Sequence, residues 1–310
     1  MTKRPLPWRD AWEQALYADG GFFRRSRPAE HFRTSAHVGE FAGAMAELVR
    51  RSAAPTVVDL GAGGGELLAA LRPLVGDAVE LVGVELADRP TGLPASIGWL
   101  STLPDHVDGL LIANEWLDNI PCDIVEVAGD GVIREVLVDP ATGEETLGDP
   151  YDSPWLRDWW PVAEPGERAE VGAARDAAWS GAVSRVSGTA VAIDYGHTLA
   201  DRPPFGTLRS YAAGREVDVI PDGSRDVTAH VAIDSVAAVT GGHTLRQREA
   251  LSTLGLDASC PPIDLARSDP AGYLQKLAAA GEVGELIARG GLGDFWWLVT
   301  DTTGHGTLAP

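Results

Sequence analysis

The sequence is poor in cysteine, with only Cys122 and Cys260 among its 310 residues. Two cysteines cannot build a disulfide framework or a cysteine-rich metal cluster, and no His/Cys spacing typical of a zinc site occurs. This excludes the class of small secreted domains that depend on disulfides. We therefore expect no metal site and a reducing compartment.

Long apolar runs are missing as well. No stretch approaches the roughly 18 consecutive apolar residues of a membrane-spanning helix. Residues 1–10 carry charges but lack the apolar core of a signal peptide. We therefore expect a cytoplasmic protein that does not enter a membrane. Its composition, 45% hydrophobic and 23% charged, is typical of a globular chain that buries a large core.

Basic residues are few relative to acidic ones, with 25 Lys and Arg against 45 Asp and Glu and a formal net charge of −20. The summed field of such a chain repels nucleic-acid phosphates and anionic lipids. Nucleic acid and membrane surfaces are therefore not expected as partners. A protein or a small molecule remains as the expected partner, and a homodimer stays open.

A glycine-rich stretch is the strongest functional signal. Residues 56–66 (Thr-Val-Val-Asp-Leu-Gly-Ala-Gly-Gly-Gly-Glu) predict a buried strand, a tight loop and the start of a helix over residues 66–72 that Pro73 would end. A second strand near residues 79–85 ends in Glu85. This is the spacing at which a carboxylate meets the ribose hydroxyls of a nucleotide.

The loop residues indicate which nucleotide binds. The loop contains no lysine, which excludes a mononucleotide phosphate loop, and Glu66 occupies the third glycine position of a dinucleotide fingerprint, where it would repel a pyrophosphate. A cationic, phosphate-free nucleoside fits better, and S-adenosyl-L-methionine is the expected cofactor. The alternative is a glycine-rich turn in an unrelated α/β protein.

The predicted cofactor site extends over several strand ends. Asp59 is expected near the ammonium group, the glycines under the sulfonium chain, and Trp99 or Leu100 against the adenine, with Ser101 able to hydrogen-bond it. The candidate cofactor-binding residues are Asp59, Gly61, Ala62, Gly63, Gly65, Glu85, Leu86, Trp99, Leu100 and Asn114.

A polar cluster follows the next buried strand, near residues 107–113, and carries the candidate catalytic residues Asn114, Glu115 and Asp118. Two carboxylates beside a methyl donor can hold a cationic acceptor in line with it, and one can take the released proton. The equally weighted alternative is a helix N-terminus that Asn114 caps. His197 and His230 are further acid/base candidates, although a lone histidine is more often structural.

The remaining segments predict insertions. Residues 123–127 and 132–138 alternate around a turn and predict a hairpin, and residues 139–161 predict a loop. Residues 167–186 predict a helix, and residues 197–223 a loop over the substrate end. Asp226 and Thr228 would cap a helix over residues 229–238.

Several of these segments resemble one known family. Residues 114–121 (Asn-Glu-Trp-Leu-Asp-Asn-Ile-Pro) resemble the Asn-Glu-Phe-Phe-Asp-Ala-Leu-Pro signature of the MidA family. Similar blocks follow in order at residues 192–197 (Ala-Ile-Asp-Tyr-Gly-His), 206–211 (Gly-Thr-Leu-Arg-Ser-Tyr) and 226–231 (Asp-Val-Thr-Ala-His-Val). Residues 16–17, 21–23, 32–35 and 41–42 resemble its N-terminal motifs, although His37 replaces an acid of that region.

The resemblance implies an S-adenosyl-L-methionine-dependent methyltransferase. The mitochondrial member of the MidA family is a respiratory complex I assembly factor that symmetrically dimethylates a protein arginine, so the resemblance also implies a protein arginine as acceptor. The departures lie mainly in the N-terminal part and concern the protein substrate more than the cofactor. Glu115 and Asp118 match the signature.

We therefore expect an α/β fold with the doubly wound, Rossmann-like sheet of class I methyltransferases. Residues 1–52 are expected as an N-terminal helical cap and residues 53–310 as the methyltransferase core. The core would carry a strand insertion near residues 123–138 and a loop and helix insertion near residues 197–240. The alternatives are a small-molecule methyltransferase and a non-enzymatic assembly factor that retains the fold.

Overall fold

The computed structural model describes residues 4–25 and 39–304, so the family-like segment at residues 32–35 and His37 lie outside the described residues. Its strands, in chain order, are β1 (Leu6–Pro7), β2 (Thr56–Leu60), β3 (Glu80–Val84), β4 (Ile97–Leu100), β5 (Val107–Asn114), β6 (Asp123–Val127), β7 (Ile133–Val138), β8 (Glu145–Pro150), β9 (Arg168–Val171), β10 (Val186–Asp194), β11 (Gly196–His197), β12 (Arg209–Ala212), β13 (Arg215–Val217), β14 (Asp226–Thr228), β15 (Val231–Ala232), β16 (His243–Arg246) and β17 (Trp296–Asp301).

The helices connect and cover these strands. They are α1 (Trp8–Tyr17), α2 (Phe22–Arg25), α3 (Gly39–Ser52), α4 (Glu66–Val75), α5 (Pro154–Trp159), α6 (Ala173–Val183), α7 (Ile233–Thr240), α8 (Gln247–Thr253), α9 (Leu265–Ser268) and α10 (Pro270–Ile287). Within the two described ranges, none of the helices combines the length and the apolar character that a bilayer crossing requires.

A seven-stranded sheet in the order β16-β17-β10-β5-β2-β3-β4 forms the centre of the molecule. The strands from β10 to β4 pair in parallel, and β17 pairs antiparallel to both β10 and β16. The chain moves outward in one direction from β2 and in the other from β5. The carboxyl ends of these two strands therefore flank a crevice, the usual ligand position in open α/β sheets. The predicted doubly wound α/β fold is confirmed.

Alternating side chains of the sheet strands enter two different cores. On one face, Val191 and Ile193 of β10 pack with α3, α4, α8 and α10. On the other face, Ala190 and Ala192 pack with α6 and α7, and Trp179 of α6 is fully buried. Because both faces are covered by helices, the strands read as continuous apolar runs in the sequence.

A second sheet, in the order β1-β7-β6-β9 with β8 paired to β7, contains the predicted hairpin. Helix α1 packs on it through Trp8, Trp12 and Leu16. The prediction of a loop over residues 139–161 is wrong, since β8 and α5 form there. The prediction of a helix over residues 167–186 is wrong for its first part, which forms β9. Residues Arg168–Val171 pair antiparallel with β6 instead, and this tertiary pairing overrides their helical propensity.

Three smaller predictions also need correction. Helix α4 continues through Pro73 to Val75, because the missing N–H falls in its last turn, where one lost hydrogen bond is tolerated. Residues 197–223 are not a plain loop, since β12 forms a three-stranded sheet with β13 and β14. Asp226 and Thr228 lie in strand β14 and do not cap a helix, because the next helix, α7, begins only at Ile233.

Candidate active site

The loop between β2 and α4 requires glycine for steric reasons. Gly61, Gly63 and Gly65 have φ values of +77°, +54° and +77°. A Cβ atom added to Gly61 would lie 2.7 Å from Trp116, and one added to Gly65 would lie 2.8 Å from Leu93. The loop is therefore a closely packed backbone surface that few other residues could form.

Glu85 is the partner of this loop, as its spacing predicts. Its carboxylate accepts hydrogen bonds from the backbone N–H groups of Gly63 (3.0 Å), Leu86 (2.7 Å) and Ala87 (3.2 Å). Burial raises the pKa of Glu85, while these three donors oppose the rise. The acid is thus fixed directly beside the glycine loop.

Asp59 is a buried acid beside the glycine loop. It is 4% exposed at the end of β2, and burial, followed by the nearby charges of Glu66 and Glu85, raises its pKa to about 7. A cation placed beside Asp59 would stabilise its ionised form and lower its pKa again. The position suits an ammonium or sulfonium group.

Two cavities meet at the crevice and share Gly61, Glu115 and Asn119 as walls. The first, about 420 Å³, is also lined by Asp59, Gly63, Glu66, Asn114, Asp118, Tyr195, Tyr211, Asp226, His230 and Phe295. The second, about 560 Å³, is also lined by Glu13, Tyr17, Phe23, Glu85, Leu86, Ser101, Thr102, Leu103 and Trp116. The glycine loop thus lies between an acid-rich cavity and a second cavity that is lined by Glu85, the residue predicted to bind the ribose.

The structure places the residues predicted near the adenine in two different positions. Leu86 and Ser101 line the second cavity, but Trp99 and Leu100 line neither of the two. The Trp99 ring packs beneath the loop, 2.5 Å from where a Cβ of Gly83 would lie, and its Nε1 donates to the carbonyl of Ala87 (3.1 Å). The Trp99 ring therefore fills the space beside Gly83 and packs against the glycine loop at Gly65.

The segment after β5 is an irregular turn, so the interpretation of Asn114 as a helix cap is wrong. Glu115 has a φ of +53°, a conformation that costs energy for a residue with a side chain. The turn is held by Asp194, whose Oδ2 accepts from the backbone N–H groups of Leu117 (3.0 Å) and Asp118 (3.2 Å). Asn114 donates through Nδ2 to Glu115 Oε1 (3.2 Å).

Asp118 is the buried member of the predicted acid pair, at 3% exposure. Its Oδ2 accepts a hydrogen bond from Thr228 Oγ1 (2.6 Å) and another from the Tyr195 hydroxyl. Buried Arg175 donates to the backbone carbonyl of Asp118 (2.8 Å) and to that of His230 (2.8 Å). Burial raises the pKa of Asp118, and the two hydroxyl donors and Arg175 lower it.

These contacts bring four further residues into the candidate site that the sequence analysis does not predict there. Asp194, Tyr195, Thr228 and Arg175 were not among the predicted site residues, although the first three lie in segments that resemble the MidA family. Arg175 had no comparable signal, because it acts only through backbone carbonyls that are distant in sequence.

The two histidines differ in position. His230 lines the first cavity, and burial, then Arg175 and Arg209, lowers its pKa. His197 is buried, its Nδ1 lies 2.7 Å from the Arg202 guanidinium, and burial, followed by the charge of Arg202, lowers its pKa to about 3. His197 lines neither cavity, so of the two histidines only His230 is placed to act on a ligand.

Comparison with known families identifies the chain. Residues 79–249 match the sequence model of the family described as "Putative S-adenosyl-L-methionine-dependent methyltransferase". The chain belongs to this family. The match runs from β3 to the first residues of α8 and includes the segments that contribute Glu85, Glu115, Asp118 and Tyr195.

Two solved structures share the fold. The first is a COG1565 superfamily member from Burkholderia thailandensis bound to S-adenosyl-homocysteine, with a TM-score of 0.78, 24% identity, and coverage of 96% of this chain and 88% of that chain. The second is a native structure of a COG1565 superfamily protein from the same organism, with a TM-score of 0.77 and the same identity and coverage. A comparison with curated proteins gave no match.

The residues present fit the cofactor of this family, S-adenosyl-L-methionine. The closely packed glycines leave the loop backbone open to both cavities, and Glu85 lies on the larger one beside them. Asp59 lies on the other cavity and gains from a cation. Glu85 would hold the ribose and Asp59 the charged amino-acid end, as the sequence predicts.

Proposed function

We propose that this methyltransferase acts on a protein arginine. The observation that carries the proposal is the charge of the first cavity. Besides Asp59, which is assigned to the cofactor, it is lined by Glu66, Glu115, Asp118 and Asp226 and, among the described residues, by no lysine or arginine. Such a chamber favours a cationic acceptor, because each buried carboxylate gains from a positive partner. The resemblance to the MidA family supports a guanidinium as that cation.

The chain's own residues supply orientation and proton handling. S-adenosyl-L-methionine provides an electrophilic methyl group when it is bound. Glu115 lies on the wall between the two cavities, where donor and acceptor must meet, and Asp118 lies deeper on the acceptor side. Two carboxylates at these positions align a planar guanidinium, and orientation of this kind contributes most of the rate enhancement expected here. Aromatic rings of Tyr195, Tyr211 and Phe295 complete the chamber.

The test uses methyl-labelled S-adenosyl-L-methionine and a soluble cell extract as the source of acceptors. After incubation, the protein fraction is hydrolysed and its amino acids are separated. We expect labelled methylarginine with the wild type and at least a tenfold lower yield with Asp118→Asn. The matched control is Asp123→Asn, since Asp123 accepts a hydrogen bond from Tyr151 (3.1 Å) and lines neither cavity.

The other outcomes separate the alternatives. Label in metabolites and none in protein would indicate a small-molecule methyltransferase. Binding of S-adenosyl-homocysteine without any transferred label would favour an assembly factor that retains the fold.

A further inference from the structure

The two carboxylate oxygens of Asp118 have different surroundings. Oδ2 accepts from both Thr228 Oγ1 (2.6 Å) and the Tyr195 hydroxyl, whereas buried Oδ1 has no hydrogen-bond partner among the described residues. Asp118 lines the acid-rich first cavity. A buried carboxylate oxygen without a donor is costly unless a ligand supplies one. Oδ1 is thus the oxygen of this carboxylate that still lacks a donor, in a residue that lines the cavity.

The two hydroxyls are fixed by separate parts of the fold. Thr228 ends β14, and Tyr195 follows β10, which is the strand beside β5 in the central sheet. The Tyr195 ring is packed edge to face against both His230 and Phe295, with centroid distances of 5.2 and 5.4 Å. These ring contacts hold the Tyr195 hydroxyl in place, so the Asp118 carboxylate is oriented from two different elements, the end of β10 and β14.

We propose that Tyr195 and Thr228 are positioning residues that occupy Oδ2 of Asp118, so that Oδ1 receives the proton released by the acceptor nitrogen. The inference rests on the proposed function. It assigns different roles to the two predicted acids: Asp118 takes the proton, and Glu115 aligns the acceptor at the junction of the cavities.

The proposed role of Asp118 accounts for the proton that methylation releases. Methylation replaces an N–H bond of the acceptor by an N–C bond, and the electron pair of the broken carbon–sulfur bond remains on sulfur. One proton must leave the nitrogen. It passes to Asp118 Oδ1 and from there to solvent when the product leaves.

Asp118 also responds to other charged groups packed around it. The charge of Arg175 and the backbone N–H of Asn119 lower the pKa of Asp118. The charge of Asp118 in turn raises the pKa of Asp194, of Asp226 and of Tyr17. Glu115 and His230 line the same cavity. None of these groups changes when the hydroxyl of residue 195 or 228 is removed. Since both hydroxyls stabilise the ionised carboxylate, their loss should move its titration to higher pH.

The first experiment follows the carboxyl carbon of Asp118 by nuclear magnetic resonance in protein labelled with ¹³C-aspartate and free of ligand, with Asp118→Asn giving the assignment. We expect Thr228→Val and Tyr195→Phe each to raise the titration midpoint by about one pH unit. Thr228→Ser keeps a hydroxyl and should restore the wild-type midpoint. Tyr151→Phe, which removes a tyrosine–aspartate hydrogen bond in the second sheet, is the matched control and should change nothing.

An unchanged midpoint in both Thr228→Val and Tyr195→Phe would overturn the proposal. If Tyr195→Phe fails to fold, the comparison of valine with serine at position 228 decides the question.

The second experiment measures calorimetric binding of N-acetyl-arginine amide to the protein saturated with S-adenosyl-homocysteine. Asp118→Asn should weaken the probe at least tenfold and leave S-adenosyl-homocysteine binding unchanged. Wild-type affinity for the probe in Asp118→Asn would overturn the role of Oδ1 alone. Failure of the wild type to bind either molecule would instead contradict the proposed function.

Discussion

At the scale of the residue, the burial of Asp59 lowers the stability of the fold while its charge favours binding of a cationic ligand. Its folded-state pKa of about 7 lies above its ordinary value of 3.8, so the folded chain favours the protonated form. The sign follows: the stabilisation is complete below the unfolded pKa and is lost as pH rises through 7. Asp59→Asn should therefore raise the free energy of unfolding by about 2 kcal/mol at pH 8 and change it little at pH 4. Urea unfolding at the two pH values measures this difference.

The same substitution should weaken S-adenosyl-homocysteine binding, because the neutral amide of an asparagine cannot balance the charge of a cation. The control is Asp77→Asn, since the Asp77 side chain is 96% exposed and its replacement should alter neither quantity. An equal gain in stability at both pH values would show that the charge of Asp59 is not the cause.

The predictable residues share one property: each acid lies at the end of a buried strand or shortly after it. Asp59, Glu85, Glu115 and Asp118 could be found because strand ends of a parallel sheet meet at one edge. The residues that hold them were harder to predict. Thr228 and Arg175 lie 110 and 57 positions from Asp118 in sequence, so only the folded chain brings them together.

At the scale of the element, the glycine loop is a rigid unit that tolerates no side chain at its first position. The N–H groups of Gly61 and Ala62 both donate to the carbonyl of Val84 (2.9 and 3.2 Å), which ties the loop to β3. Gly61→Val would combine an unfavourable φ with a clash against Trp116. We expect at least a tenfold loss of S-adenosyl-homocysteine affinity and destabilisation of about 2 kcal/mol. Calorimetry and thermal unfolding measure the two effects.

Gly92→Ala is the matched control for this element, since a Cβ atom there meets nothing within 4 Å. Wild-type affinity in Gly61→Val would contradict the view that the loop backbone forms the cofactor site.

Buried strands of the central sheet could be predicted from their apolar residues, whereas exposed strands could not. Strands β2, β3 and β5 carry apolar runs, and the bounds predicted for β3 (79–85) and β5 (107–113) differ from the structure by at most one residue at each end. Strand β8 (Glu145–Pro150) is polar, contains a terminal proline and is exposed along most of its length. Its strand character comes from pairing with β7, which no local pattern records.

At the scale of the whole molecule, the candidate site lies where the central sheet meets the helix that packs on the second sheet. Helix α1 packs on the second sheet, yet its Tyr17 hydroxyl donates to the carbonyl of Asn119 (3.1 Å) in the turn after β5, and Tyr17 lines the second cavity. Asn119 lines both cavities. A ligand in the second cavity therefore contacts α1, which packs on the second sheet, as well as the turn that follows β5 of the central sheet.

This arrangement predicts how ligand binding spreads through the molecule. S-adenosyl-homocysteine at one hundred times its dissociation constant should stabilise the fold by about 2.7 kcal/mol, because it binds only the folded state. Hydrogen exchange should slow in α1 as well as in residues 61–65. Amides of α10 around Leu274, which is 65% exposed and lines neither cavity, serve as the internal control. Protection confined to the loop and residues 80–87 would mean that the second sheet does not take part in cofactor binding, and that Tyr17 is only a packing residue.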